Sequence, residues 1–246
     1  MLKEIPQVSI SVVSHRNGPL IEQLLQDLRR TLNCSYEIIL TINVPEDASF
    51  VAQFSDLKIK LIFNDAPKGF GANHNKAFQV STGASFIIVN PDIRLHAFDF
   101  VRFLGNRNLP DLGALGTVIT NPAGVLEDSA RRHPTFVSLF LRFFTKWRSD
   151  YYRLSDGLTR VDWLAGMFVC FDRAAFSAVG GFDEGFFMYL EDADIGRKFS
   201  HAGYASYVCS EQTVVHDARR ASKRDLTHLQ WHISSAFRYF RKHGFF

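Results

Sequence analysis

Two hydrophobic periods alternate along the first ninety residues. Val8-Ser9-Ile10-Ser11-Val12-Val13-Ser14 is short, β-branched and closed by polar residues, and reads as a buried strand. From Pro19 to Leu32 the apolar residues fall at 21, 24, 25, 28 and 32, the spacing of a helix with one apolar stripe. Tyr36–Asn43, Lys58–Phe63 and Ala84–Val89 predict three further strands, and Gly71–Val80 a helix before the last of them. Strands alternating with helices predict an α/β sheet, largely parallel and covered on both faces. Ligands of such sheets sit beyond the carboxyl ends of the strands. Asn43, Asn64-Asp65 and Asn90-Pro91-Asp92 occupy those ends, so the pattern locates a site before its chemistry is known.

The second half is less regular. Phe136–Arg148 is apolar almost all round and interrupted by cations, which suits a docked helix or a membrane-surface element. Val161–Phe171 reads as a buried strand, with Gly166 where a ligand approaches closely. Arg173–Val179 predicts a short helix, and Glu191–Ala202 a longer one closed by Gly203. Tyr204–Val208 then returns as a strand towards His216. From Asp225 onward Leu226, Leu229, Ile233, Phe237 and Phe240 repeat at helical spacing, with His228, His232, Arg238, Arg241 and Lys242 between them. That is an amphipathic basic helix. With no repeat or flexible linker, the expected organisation is one domain over 1–224 and a helical extension over 225–246.

Composition narrows the picture modestly. A chain of 246 residues buries roughly 70–75% of its unfolded surface and needs no covalent staples. The net charge of +3 does not point to nucleic acid. Cys34, Cys170 and Cys209 are odd in number and far apart, which suits a reducing compartment and offers no metal pair. The N-terminus lacks the apolar core of a signal peptide, and no run approaches ~18 apolar residues, so a cytoplasmic location is expected.

The densest chemistry lies between Gly181 and Asp194. Asp183, Glu184, Glu191, Asp192 and Asp194 are interleaved there with Phe182, Phe186, Phe187, Met188 and Tyr189. Carboxylates seek water and phenyl rings avoid it, so packing both together predicts a cleft holding a partly desolvated carboxylate able to take a proton. A carboxylate at the helix start also suits the macrodipole without any catalytic role. Asp92, at a strand end, suits a hard divalent cation completed by phosphate and water, although Asn-Pro-Asp is equally ordinary turn chemistry. Gly69-Phe70-Gly71-Ala72-Asn73-His74-Asn75 offers backbone N–H groups to a nucleotide, or is simply a helix N-terminus; it is not a dinucleotide fingerprint. His216 fits a metal or phosphate contact, or a hydrogen-bonded histidine. Arg219, Arg220, Lys223 and Arg224 fit a solvated face or a contact to lipid diphosphate.

These blocks occur in a telling order. The strand–helix opening, Gly69–Asn75, Asn90-Pro91-Asp92, Ser129–Pro134, Trp163-Leu164-Ala165-Gly166, Gly180–Glu184, Phe187–Asp194, His216 and Trp231–Tyr239 follow one another along nearly the whole chain. The sequence resembles the family 2 glycosyltransferases of GT-A fold, and most closely the bacterial O-antigen rhamnosyltransferases that act on N-acetylglucosaminyl-diphospho-undecaprenol. The resemblance implies an inverting transfer from a nucleotide sugar, dTDP-L-rhamnose, assisted by Mg²⁺ or Mn²⁺. It implies Asp192 as catalytic base. Ser14, Asn43, Gly69, Asn73, Asn90 and Asp92 fall on the donor side, and Trp163, Gly166, Tyr189 and Glu191 on the acceptor side. Arg131 and His216 would contact the diphosphate, with Asp92 and His216 as metal ligands. Asn90 stands where the family has the first carboxylate of its Asp-x-Asp, and Asn43-Val44-Pro45-Glu46-Asp47 departs from the family's Asp-Asn-x-Ser run.

The resemblance further implies a lipid-linked acceptor and peripheral attachment at the inner face of the cell membrane. A sugar-nucleotide-forming nucleotidyltransferase is the competing enzyme reading. It requires a glycine-rich basic loop after the first strand, where this chain has Ser14-His15-Arg16-Asn17-Gly18. A non-catalytic sugar-nucleotide-binding or membrane scaffold protein is the competing reading from another class; retention of Asp92 and Asp192 speaks against it.

Overall fold

The computed structural model describes residues 7–138, 152, 154–217 and 226–244. Strand β1 (Val8–Ser14) lies between β2 (Tyr36–Ile42) and β4 (Ser85–Val89), parallel to both, and β3 (Ile59–Phe63) extends the sheet beyond β2. On the far side of β4, β10 (Phe168–Asp172) runs antiparallel and also pairs with β6 (Leu112–Thr120). Strand β11 (Ala205–His216) is parallel to β6, with β5 (Ile93–Arg94) and β8 (Leu158–Val161) antiparallel to it. The sheet order is β3-β2-β1-β4-β10-β6-β11-β5, with β8 branching from β11. Two short strands, β7 (Ala130–Arg131) and β9 (Trp163–Leu164), pair with each other apart from it.

Period-two alternation distributes the side chains to two cores. Ile38, Leu40, Ile87, Val89, Phe168 and Cys170 face one core, shared with helix α1 (Gly18–Thr31). Ile39, Phe86, Ile88, Val169 and Phe171 face the other, shared with α2 (Phe70–Val80) and α4 (Arg173–Ala178). Helix α3 (Phe100–Gly105) adds Phe100 and Phe103 to the first. The second core also receives Ile195 and Phe199 from α5 (Glu191–His201). With both faces covered, the central strands β1, β2, β4 and β10 are buried along nearly their whole length, while β3 at the sheet edge is partly exposed. Cys34, Cys170 and Cys209 are all unpaired thiols.

One consequence of this order places the site. Because β10 runs against its neighbours, its start lies at the same edge as the carboxyl ends of β1, β2, β4, β6 and β11. Backbone bonds lace that edge together: Asn43 N–H to Ser14 O (2.9 Å), Asn90 N–H to Met167 O (2.9 Å), and Asp217 N–H to Asp92 O (2.9 Å).

The structure departs from the sequence reading in two places. Val161–Phe171 is not one strand but the end of β8, then β9 and β10. Asp162 turns aside to accept bonds from His133 N–H and Tyr152 Oη–H, and Ala165–Met167 forms a tight turn. The second departure is in α6 (Leu226–His243), whose apolar repeat is divided between a buried and an exposed face. Ser235, Tyr239 and Phe240 are buried, whereas Leu229, Ile233 and Phe237 are exposed. Tyr239 and Phe240 join Trp163, Phe186 and Ala193 in a third apolar cluster. Burying Phe240 alone is worth roughly 2–3 kcal/mol. The Phe136–Arg148 segment lies outside the described residues beyond Ser138, as do the four basic residues between 219 and 224.

Candidate active site

The edge begins with three buried asparagines. Asn43, at the end of β2, donates to Lys68 O (3.0 Å) and accepts from Lys68 N–H (2.8 Å) and from Asn64 Nδ2 (2.9 Å). Asn64, at the end of β3, also donates to Asn73 Oδ1 (2.7 Å), whose own amide reaches Lys68 O and Gly69 O. Buried amides are stable only when fully bonded, and this mutual arrangement ties two strand ends to the start of α2. Asn43 and Asn73 therefore fix the junction of β2, β3 and α2 at this edge. Ser14 is also buried, its Oγ accepting from Asn17 N–H (3.2 Å).

Farther along the edge, His216 stands between two carboxylates. Its Nε2 lies 3.2 Å from Asp92 Oδ2 and its Nδ1 2.5 Å from Glu127 Oε2. Burial works against the imidazolium, yet the bonds to Asp92 and Glu127 outweigh it and hold the ring up to about 9. Asp92 Oδ1 is buried with no protein partner. Among the described residues no group of three or more His, Cys, Asp or Glu could hold a metal ion. The donor set nonetheless fits a cation bound by two protein ligands and completed by phosphate and water. Asp92 brings an unsatisfied carboxylate oxygen, and His216 an imidazole nitrogen once a cation displaces its Nε2 proton, with Glu127 supporting that imidazole from behind.

The acceptor side is built on α5. Asp192 is half-buried; its Oδ2 accepts from Gly166 N–H (3.3 Å) and its Oδ1 from Ala193 N–H (2.9 Å). Burial pushes its carboxyl upward, against the Arg131 guanidinium and those N–H groups. An apolar void lined by Ile88, Leu164, Phe171, Phe182 and Ile195 lies beside it. Glu191 is buried, its Oε2 unpartnered; burial and then the Asp192 charge push it up to about 8. Burial thus raises both neighbouring carboxyls, and the charge of either one disfavours ionisation of the other.

A single short segment connects the two halves. Glu127 meets His216, while Asp128 pairs with Arg131 (2.9 Å). Arg131 lies over the Trp163 ring at 5.1 Å. Trp163 itself is only 3% exposed and donates its Nε1–H to Arg132 O (2.7 Å), so it buttresses Arg131 and does not line the acceptor cleft.

Two glycines reveal how closely the blocks pack. A Cβ on Gly69 would lie 2.6 Å from Phe187 O, and one on Gly166 2.8 Å from the tip of the Phe70 ring. The glycine of the Gly69–Asn75 block thus admits the Phe186–Tyr189 loop, and Phe70 N–H bonds Phe187 O at 3.0 Å. The loop then passes through two consecutive left-handed residues, Tyr189 (φ 74°) and Leu190 (φ 65°), before α5 begins. Helix α6 covers it. Ser235 Oγ–H donates to Met188 O (2.8 Å), His232 stacks on Tyr189 (3.5 Å between ring centres), and Tyr189 Oη lies 2.6 Å from His228 Nδ1. Asp183 pairs with Arg238 and Lys242, and the fully buried Asp194 with Lys242 and His243.

The structure thus brings Asp92 and His216 together, and separately Asp192, Glu191, Gly166 and Arg131. Asn90 sits half-exposed at the β4 end, and Tyr189 faces α6 more than the cleft. Glu127 and the contacts made by the inward face of α6 could not be read from spacing: their partners lie 39 to 89 residues away.

No protein-family model matches the chain. In sequence it is similar to the N-acetylglucosaminyl-diphospho-decaprenol L-rhamnosyltransferase of Mycobacterium tuberculosis, 28% identical over 251 residues that take in 93% of this chain and 82% of the relative. Rhamnosyltransferase WbbL of Escherichia coli (strain K12) is 27% identical over 94% of this chain and 92% of its own length. Among solved structures, the mannosyltransferase PcManGT from Pyrobaculum calidifontis, in complex with GDP-Man and Mn²⁺, superposes with a TM-score of 0.65. That match has 18% identity and covers 96% of this chain but 65% of the other. S. aureus TarS 1–349 gives a TM-score of 0.62 at 16% identity, over 97% and 74%. The architecture is the GT-A fold of these glycosyltransferases.

Proposed function

We propose that this glycosyltransferase moves L-rhamnose from dTDP-L-rhamnose to a sugar hydroxyl of N-acetylglucosaminyl-diphospho-polyprenol, with inversion at the anomeric carbon. One observation carries the reading. At one strand edge, the Asp92–His216 pair, suited to a cation that meets a diphosphate, and the desolvated Asp192 carboxylate are linked through one segment: Glu127 meets His216, and the Arg131 charge acts on Asp192. The named activities of the two relatives support the choice of sugar and acceptor.

The geometry performs the reaction as follows. The asparagine cluster and the Gly69 turn seat the nucleotide end of the donor. Asp192, its basicity raised by burial and its orientation fixed by two N–H groups, accepts the proton of the acceptor hydroxyl. The oxygen attacks the anomeric carbon as the bond to the diphosphate breaks, and the leaving group carries off the electron pair. Its charge is met by Arg131 and by the Asp92–His216 end of the edge. Mg²⁺ or Mn²⁺ held by Asp92 and His216 would supply Lewis-acid neutralisation of that charge. Mn²⁺ accompanies the solved mannosyltransferase.

The acceptor's lipid implies work at a membrane surface, at the inner face of the cell membrane. No described helix is long and apolar enough to cross one. Leu229, Ile233 and Phe237 form an exposed apolar stripe on α6 beside the exposed Arg241, which suits peripheral attachment to anionic lipid.

The test is a panel of nucleotide sugars against synthetic N-acetylglucosaminyl-diphospho-lipid, read by mass spectrometry. The expected product gains one rhamnosyl unit. Asp192→Asn is expected to lower turnover by about 10²–10⁴-fold with donor affinity intact, the range of general-base assistance. Transfer of a different sugar overturns the donor assignment, and wild-type turnover in Asp192→Asn removes that residue from the base role.

A further inference from the structure

We infer that helix α6 is a working part of the catalytic site, and that Ser235 and His232 are positioning residues for Asp192. The inference rests on the reading of Asp192 as the base. Tyr189 and Leu190 are neither glycine nor asparagine, yet both adopt the left-handed region. Such a conformation is strained for a side-chain-bearing residue and persists only where surrounding contacts over-determine it. Those contacts come chiefly from α6. The Met188 carbonyl is held by Ser235, a residue buried to 4% exposure, and the Tyr189 ring is clasped by His232 while its hydroxyl meets His228. On the other flank of the turn, Phe187 is fixed by Phe70 N–H and lies against Trp231 at 4.9 Å.

What the turn controls is the direction of α5. Leu190 is the residue before the first helical turn, and its carbonyl accepts the first helical bond, from Asp194 N–H (2.8 Å). Asp194, one turn along, is locked in turn by Lys242 and His243. Asp192 lies between these two anchors. Its aim at Gly166 N–H, at 3.3 Å, follows from where they put the helix start. Release of the Tyr189–Leu190 turn to an unstrained conformation rotates that start and misaims the carboxylate. The loss then appears chiefly in the chemical step, because the turn meets the donor side only through Phe187 at Gly69 and Phe70, upstream of the strained residues. A misplacement of about 1 Å at a reacting group costs on the order of 10²-fold.

The experiment compares full-length wild type with Ser235→Ala, His232→Ala and His232→Phe. The alanine variants are expected to lose about tenfold in kcat, with donor KM within about twofold and melting temperature little changed. His232→Phe, which keeps a ring on Tyr189, recovers most of that loss. Amide hydrogen exchange over residues 186–194 supplies a readout that needs no turnover, and is expected to accelerate about tenfold or more in the alanine variants. Wild-type kcat and wild-type exchange in both alanine variants overturn the inference. So does a loss confined to donor KM. If wild type transfers no rhamnose, the functional reading fails while the exchange result still decides whether α6 holds the turn.

Discussion

Glu191 and Asp192 are adjacent carboxyls that burial raises alike, but their partners differ. Asp192 has two N–H donors and the Arg131 charge; Glu191 has burial and an unpartnered Oε2. Glu191 keeps its proton up to about 8 when folded, against an ordinary 4.5. Below 4.5 both folded and unfolded chains are protonated there, and stability does not depend on this group. Between 4.5 and about 8 the unfolded chain releases a proton that the folded chain retains, so stability falls as pH rises. Glu191→Gln removes that slope. Its melting temperature is expected to vary less between pH 5 and 8 than wild type, and to exceed wild type at pH 8, as calorimetry will read. At the other half of the site, Glu127→Gln withdraws the carboxylate that fixes His216 Nδ1. Calorimetric Mn²⁺ affinity, in the presence of a nucleoside diphosphate, is expected to fall by about 10–100-fold. Unchanged affinity removes Glu127 from that role.

Helix α6 was legible as an element, while which of its faces is buried was left open by the sequence. Its period of apolar residues is plain, and so are its cations. Periodicity alone does not decide whether the apolar stripe meets the core. Here Arg238, Lys242 and His243 are drawn inward by Asp183 and the buried Asp194, and the stripe is left outside. Those ion pairs hold Asp183 down to about 2 despite its partial burial. The exposed stripe carries its own prediction. Replacing Leu229, Ile233 and Phe237 together by serine is expected to shift the protein from anionic vesicles to the supernatant on sedimentation. Turnover on a water-soluble acceptor stays near wild type, since these side chains face away from the turn. Unchanged sedimentation defeats the membrane assignment of this face.

At the scale of the whole molecule, local pattern determined a good deal. Strands β1 to β4, helices α1 and α2 and the helix bearing Asp192 follow from period and length, because each buries a face that its own spacing declares. So does the location of the site, since parallel strands deliver their polar ends to one edge. The carboxylate block and Asp92 stood out by residue type alone. What the tertiary structure decided were the relations between distant segments: β10 inserted antiparallel so that Gly166 meets Asp192, Glu127 behind His216, Trp163 as a buttress, and α6 clasping a strained turn. Each of these depends on which face of one element meets which face of another. Spacing within a single element does not contain that information, because the energy that selects it comes from burial and charge pairing between segments far apart in the chain.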